Sequence, residues 1–312
     1  MPVVSTTKKN IDEAATILQS GGVVSFPTET VYGLGCDTHN TCAIDLVYSL
    51  KNRPNNNPLI AHVRTVSQAI EITNGWNSDC DTLASTFWPG PLTIVLPRNP
   101  LVPQEASGGT TTIAVRCPKH LVAQELLDAF GGPISAPSAN ISGHTSATTA
   151  NHVRDDFGDD LFILDGGACE NGIESTVLSM AGHPTILRLG SIGVQEVQKI
   201  IGNVSVKEST TQTNSPGSSH KHYAPKSKLV VQSKDELNNN SEKETACLVI
   251  KSQPRGPGVI IQMPEEPVEY AKKIYAAIRE ADATNPRVIF VETPPNTLEW
   301  EAIHDRLRRA SA

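Results

Sequence analysis

The chain has 312 residues, a formal net charge of −7, 38% hydrophobic residues and 19% charged residues. That length suits about two domains, and that balance excludes a wholly disordered chain. No uncharged apolar run reaches bilayer length and the first residues carry no long apolar stretch, so a cytoplasmic protein without a membrane span is expected.

In chain order, residues 11–19 read as a helix with Ile11, Ala14, Ala15 and Leu18 on one face. Val23–Phe26 suits a short buried strand ending at Pro27, and a second helix is expected over 41–50. Short strands follow at 59–63, 92–98, 112–118, 132–138, 161–167, 175–180 and 185–190, with helices near 67–73, 79–87, 119–130 and 193–201. Strands mixed with helices without strict alternation predict an α/β layer around a mixed sheet. From Asn203 to about Lys226 the composition turns to Ser, Thr, Gly and Pro, which reads as a linker. Domains are therefore expected at 1–205 and 227–312, with a linker at 206–226. Beyond the linker, KLVVQS, ACLVIK, GVIIQM and RVIFVE are strand-like, and Val268, Ala271, Ile274, Tyr275 and Ile278 recur at helical spacing. A second, smaller α/β domain of parallel-sheet character is expected.

Charge is unevenly spread. Residues 1–205 hold 11 Lys plus Arg against 19 Asp plus Glu, net −8, and the remainder holds 15 against 14, net +1. A long nucleic-acid track needs many cations held together, so it is not advertised here. Six cysteines (Cys36, Cys42, Cys80, Cys117, Cys169, Cys247) form no CxxC pair, which suggests free thiols rather than a zinc site or a disulfide framework. Neither GxxxxGK[ST] nor GxGxxG occurs, so a phosphate site would have to be built otherwise.

Five stretches could build one. In KNRPNNNPL the prolines predict a stiffened extended loop, on which Lys51 and Arg53, two apart, would point the same way. A Lys point charge beside an Arg fork suits polyphosphate oxygens; a solvated loop is the alternative. GGPISAPSANISGHTSATTA (131–150) is crowded with Ser, Thr and Asn that could ring a polar ligand or serve as turns and a helix cap. PTETVYGLG (27–35) reads either as a strand-to-helix turn or as a place where two glycines let the backbone approach a ligand. Arg116 and Arg188 lie in apolar runs, and each needs a ligand anion or an internal salt bridge.

FPTETVYGLG, KNRPNNNPLIAHV, FWPGPLTIVL, TIAVRCP, SAPSANISG, ESTV and LRLG, in that order, resemble the threonylcarbamoyl-AMP synthase family with its YrdC-like catalytic domain. The hallmark KxR followed by SxN is met by Lys51, Arg53, Ser138 and Asn140, and the HYAP segment and trailing domain resemble the long, two-domain branch. The resemblance implies a twisted open mixed sheet flanked by helices around a concave basic cavity, followed by a smaller Rossmann-like α/β domain. It implies an enzyme, a nucleotidyltransferase that makes threonylcarbamoyl-AMP, pyrophosphate and water from L-threonine, bicarbonate or CO2, and ATP with Mg²⁺. The adenylate would pass to a tRNA threonylcarbamoyltransferase.

Carried over residue by residue, the resemblance puts ATP near Lys51, Arg53, Asn57, Thr112, Asn140, Thr148, Arg188 and Tyr223. It puts L-threonine near Thr30, His62, Arg116, Ser138 and Ser175, with Lys51 and Arg53 neutralising the departing pyrophosphate. His62 would position threonine or act as a base. Two rival readings are an RNA-binding YrdC-like module and a carbamoyl-adenylate-using carbamoyltransferase like the hydrogenase-maturation proteins. The first is disfavoured by the negative first domain, the second by the missing cysteine-rich zinc motifs.

Overall fold

A computed structural model describes residues 3–207, 222–240, 242–256 and 258–312. Most of the expected linker, residues 208–221, lies outside the described residues. The chain divides into two compact units: the first takes residues 3–142, 147–170 and 174–207 of those described, the second 143–146, 171–173 and the described residues from 222 on.

In the first unit the strands are β1 (Val3–Ser5), β2 (Val24–Phe26), β3 (Gly33–Asp37), β4 (Ile60–His62), β5 (Leu92–Pro97), β6 (Thr112–Arg116), β7 (Ile134–Ala136), β8 (Phe162–Asp165), β9 (Thr176–Ser179), β10 (Thr185–Arg188) and β11 (Ser205–Val206). They form an eleven-stranded sheet in the order β1-β8-β2-β3-β7-β4-β6-β5-β9-β10-β11. It is mixed as expected: β4 runs parallel to β6 and β5 to β9, while β3 and β7, and β5 and β6, are antiparallel. The helices are α1 (Lys8–Gln19), α2 (Thr41–Lys51), α3 (Val66–Ile72), α4 (Ser78–Phe87), α5 (Leu121–Phe130), α6 (Ala150–Phe157) and α7 (Val194–Ile201). Five of them start on a Thr or Asn (Thr7, Asn40, Thr65, Asn77, Thr149) whose side chain accepts a first-turn backbone N–H.

Period-two alternation sorts the strand residues between two faces. Ala61, Leu92, Ile94, Leu96, Ile113, Val115 and Leu178 join the main core with Ile44, Val47, Leu83, Val153 and Val197 from α2, α4, α6 and α7. The alternate residues Ile60, Val95, Ala114 and Val177 form a separate small apolar floor, with Leu187 packed against it. Along the same strands that second parity also holds His62, Thr93, Thr112 and Arg116. Helices α1 and α5 close a third cluster over Val24, Phe26, Ile134, Phe162 and Leu164.

Two expectations are corrected. KNRPNNNPL is not extended at its start: α2 runs through Lys51, and Asn52 ends it in the left-handed region (φ 51°), its N–H donating to the carbonyls of Tyr48 and Ser49. Asn tolerates that conformation better than most residues, and Pro54 follows where a helix cannot continue. The glycines of YGLG belong to β3 rather than to a turn. A Cβ on Gly35 would lie 2.7 Å from the Phe26 ring and 2.8 Å from Ile134, and one on Gly33 would lie 3.1 Å from that ring. They make room for an aromatic side chain on the neighbouring strand.

The second unit contains β12 (Lys228–Gln232), α8 (Lys234–Asn238), β13 (Thr245–Val249), β14 (Val259–Gln262), α9 (Pro267–Ala283), β15 (Val288–Glu292) and α10 (Glu301–Ala310). Its four strands are all parallel in the order β12-β15-β13-β14. Helix α9 buries Tyr270, Ala271, Ile274, Tyr275, Ala277, Ile278 and Ala281, whereas Val268, placed on that face by spacing, is in the first turn and exposed. Glu292, at the end of β15, accepts the backbone N–H groups of Ile250, Lys251 and Ser252 at 2.6, 2.8 and 2.9 Å. Tyr223 lies in this unit, its ring stacked on Tyr275 at 5.5 Å with the Arg306 guanidinium 5.3 Å from its centroid.

Candidate active site

The first unit gathers most of the singled-out residues into three groups. The first joins the KxR and SxN motifs. The Lys51 ammonium, at the end of α2, donates to the backbone carbonyls of Ser138 and Asn140, and the Ser142 N–H returns to the Lys51 carbonyl at 2.9 Å. Burial and then the Arg53 charge push the Lys51 pKa well below its ordinary value, with Asp156 opposing. Arg53 folds onto its own loop: Nε donates to the Asn57 carbonyl at 3.2 Å, and a terminal nitrogen donates to Asn57 Oδ1 at 2.6 Å and the Pro58 carbonyl at 3.0 Å. Asn57 is thus held by the Arg53 guanidinium through both its carbonyl and its side-chain oxygen.

The second group stands on β4 and β6 and the PTET turn. His62 and Arg116 are register partners on these parallel strands. Arg116 is 3% exposed and sits 2.6 Å from the carboxylate of Glu29, itself 2% exposed. Its other nitrogens donate to Thr30 Oγ1 at 2.8 Å and the Gly90 carbonyl at 3.2 Å. The second oxygen of Glu29 accepts the Lys119 N–H at 3.0 Å. Burial alone would raise the Glu29 pKa, but the Arg116 charge and these hydrogen bonds outweigh it and hold the carboxyl below its usual range. His62 is pushed down to about 3 by burial and by the Arg116 charge, so it is neutral at pH 7. Its Nδ1 is buried with no hydrogen-bond partner among the described residues.

The third group ties β9 to β10. Arg188 donates to the Ser175 carbonyl and to Ser175 Oγ, both at 3.0 Å, and Ser175 Oγ lies 2.7 Å from Thr93 Oγ1 on β5. The glycine of LRLG permits this approach, since a Cβ on Gly190 would fall 2.3 Å from the Thr176 nitrogen and 2.5 Å from the Ser175 carbonyl carbon. Thr148 lies just before α6, its hydroxyl 3.3 Å from His152 Nδ1. Thr112 opens β6 on the face of Ala114 and Arg116. Tyr223 belongs to the second unit.

Sequence reading passed over Glu29, Thr93, His152 and Asp156. Glu29 had a signal: a buried Arg in TIAVRCP demands an anion, and PTETVYG holds an acidic residue among apolar neighbours. The internal salt bridge left open for Arg116 is present, with Glu29 as its partner. His152 and Asp156 lie on α6, whose polar sequence ANHVRDDF gives little periodic signal.

A family model described as telomere recombination, covering Sua5, YciO and YrdC proteins, matches residues 16–190. A second, described as the threonylcarbamoyl-AMP synthase C-terminal domain, matches residues 192–312. The threonylcarbamoyl-AMP synthase of Pyrococcus abyssi is 35% identical over 100% of this chain and 98% of its own length. That of Bacillus subtilis is 36% identical over 99% and 94%. The solved structure of Pyrococcus abyssi Sua5 complexed with L-threonine superposes with a TM-score of 0.92 at 32% identity, covering 100% of this chain and 98% of that one. Fold and matches together define a YrdC-type α/β domain followed by a Sua5-type C-terminal domain. The chain belongs to the threonylcarbamoyl-AMP synthase family.

Proposed function

We propose that this chain is an L-threonylcarbamoyladenylate synthase, forming threonylcarbamoyl-AMP and pyrophosphate from L-threonine, bicarbonate or CO2, and ATP. The observation that carries the reading is the match along the whole chain to relatives of that name. We place the reaction in the cytoplasm, and its product with a separate tRNA threonylcarbamoyltransferase; among the described residues no helix is long and apolar enough to cross a membrane.

In this reading the threonine carboxylate meets Arg116, with Thr30, His62, Ser138 and Ser175 around it. Lys51, Arg53, Asn57, Thr112, Asn140, Thr148 and Arg188 take the nucleotide. The threonine ammonium first gives up a proton to solvent; the free amine then forms a bond to the carbon of CO2 and loses a second proton, giving a carbamate. A carbamate oxygen then attacks the α-phosphorus as the bond to pyrophosphate breaks. No protein nucleophile is required, and the protein's main work is to hold the reactants in register, a contribution of roughly 7–11 kcal/mol in well-oriented systems. Neutral His62 suits a hydrogen-bonding, positioning role better than that of a strong base. Polyphosphate oxygens would replace the carbonyl partners of Lys51 and favour its protonated form. Among the described residues no three His, Cys, Asp or Glu side chains converge in a way that could hold a metal ion. Magnesium enters as the counterion that ATP brings.

The test is pyrophosphate release from ATP with threonine and bicarbonate omitted in turn. Release should need both, and Lys51→Ala or Arg53→Ala should nearly abolish it. Release indifferent to threonine sinks the reading. Transfer RNA binding that survives Arg53→Ala, with no adenylate formed, would favour the RNA-binding module instead.

A further inference from the structure

The group around Arg116 contains a charge that the proposed reaction does not call for. Glu29 is buried, and both of its oxygens are engaged: one lies 2.6 Å from Arg116, and the other accepts the Lys119 N–H at 3.0 Å. Lys119 follows the strand that carries Arg116, so the same segment presents the guanidinium and pins the carboxylate. His62, the register neighbour of Arg116, is neutral. Arg116 contributes +1 and Glu29 −1, so these three side chains carry no net charge in a place shielded from water.

A dry site of zero net charge discriminates among ligands by their own net charge, because an uncompensated ion there is costly. A zwitterionic amino acid adds nothing to the balance. A simple carboxylate, even one that reaches Arg116 equally well, leaves the site with an excess negative charge beside Glu29. We propose that Glu29 is a specificity-determining residue of the amino-acid subsite: paired with Arg116, it makes the subsite electrically neutral, so that the site takes a zwitterionic amino acid and rejects a carboxylate that lacks the ammonium. This rests on reading Arg116 as the partner of the threonine carboxylate. The repulsion between Glu29 and the ligand carboxylate is common to both kinds of ligand, so the discrimination is the attraction of Glu29 for the ammonium: for unit charges about 6 Å apart at an effective dielectric of about 20 this changes affinity about a hundredfold, and solvent leaves at least about tenfold of that.

The experiment is calorimetric binding to the full chain of L-threonine and of 3-hydroxybutyrate, which keeps threonine's carboxylate and hydroxyl but lacks the ammonium. The readout is the ratio of their dissociation constants, which a general loss of structure would not shift in one direction. The wild-type chain should prefer threonine, and Glu29→Gln should reduce that preference at least about tenfold. Glu29→Asp, which keeps the charge, should retain most of it. Glu29→Ser removes the charge without added bulk and serves if the glutamine variant fails to fold. A wild-type chain that binds the two ligands equally overturns the proposal without any variant. So does a preference unchanged in Glu29→Gln or Glu29→Ser while both affinities fall. A wild-type chain that binds no threonine at all overturns the reading of the subsite itself, and the proposal with it.

Discussion

Gly190→Ala puts the positioning of Ser175 to a direct test. The added Cβ would lie 2.3 Å from the Thr176 nitrogen, 2.5 Å from the Ser175 carbonyl carbon and 2.6 Å from the Glu174 carbonyl oxygen. All three are backbone atoms, so no side-chain rotation can relieve the contact. The segment cannot simply swing away either: Thr176 Oγ1 is bonded to the Ile192 N–H and carbonyl at 3.1 and 2.8 Å, and Arg188 holds Ser175 twice. Overpacking of this kind typically costs 1–3 kcal/mol, and three backbone clashes place this case at about 3 kcal/mol. With a urea m-value of about 1–3 kcal/mol/M, the midpoint should fall by about 1 M or more. The control is Gly182→Ala, in the loop between β9 and β10, where a Cβ meets nothing within 4 Å and the change should be within about 0.5 kcal/mol. Urea titrations followed by tryptophan fluorescence compare the two variants with the parent. If Gly190→Ala unfolds where Gly182→Ala does, the claim that LRLG needs its glycine to seat Ser175 fails.

Other outcomes follow from the buried charges. Lys51→Met should abolish pyrophosphate release while leaving the urea midpoint unchanged or raised, since it removes an ammonium that burial disfavours; a drop of more than about 1 kcal/mol would mean the carbonyl contacts outweigh desolvation. His62, with a folded pKa of about 3 against about 6.5 unfolded, takes up a proton on unfolding between those values. Stability should therefore fall with decreasing pH through that window, by up to about 1.4 kcal/mol per unit, and His62→Gln should flatten the slope in acid titrations. Glu292→Gln should cost about 2 kcal/mol at pH 7 by weakening the acceptor of three backbone N–H groups. Because those bonds hold the Glu292 pKa below its usual value against the effect of burial, that advantage is present above the unfolded pKa of about 4.3. It should be lost as pH falls through the lower folded value, which paired pH-dependent melts would reveal.

Apolar runs made much of this fold legible. LTIVLP and TIAVR became β5 and β6, and VIFVE became β15, because continuous apolar stretches need a sheet buried on both faces. The unforeseen pieces are those whose stability comes from neighbours. Strand β3 carries two glycines and is completed by the Phe26 ring, and α6 has a polar sequence with only Ala150 and Val153 buried. The candidate site was half legible. The company of KxR and SxN was readable from motif order, but their physical tie, an ammonium at a helix end reaching backbone oxygens, involves main-chain atoms that the motif letters do not encode. Arg116 announced the need for an anion without saying that the chain itself supplies one.

That the Lys51 tie ends on the carbonyls of Ser138 and Asn140 separates two kinds of genetic lesion. A carbonyl is common to every residue type, so replacing either side chain removes what that side chain offers a ligand and leaves the tie in place. Shifting the frame of the loop moves both oxygens at once. A scan of the loop should thus show graded losses for substitutions at 138 and 140, and an abrupt one for a single-residue insertion or deletion between Ala136 and Ile141, even where every hallmark letter is retained.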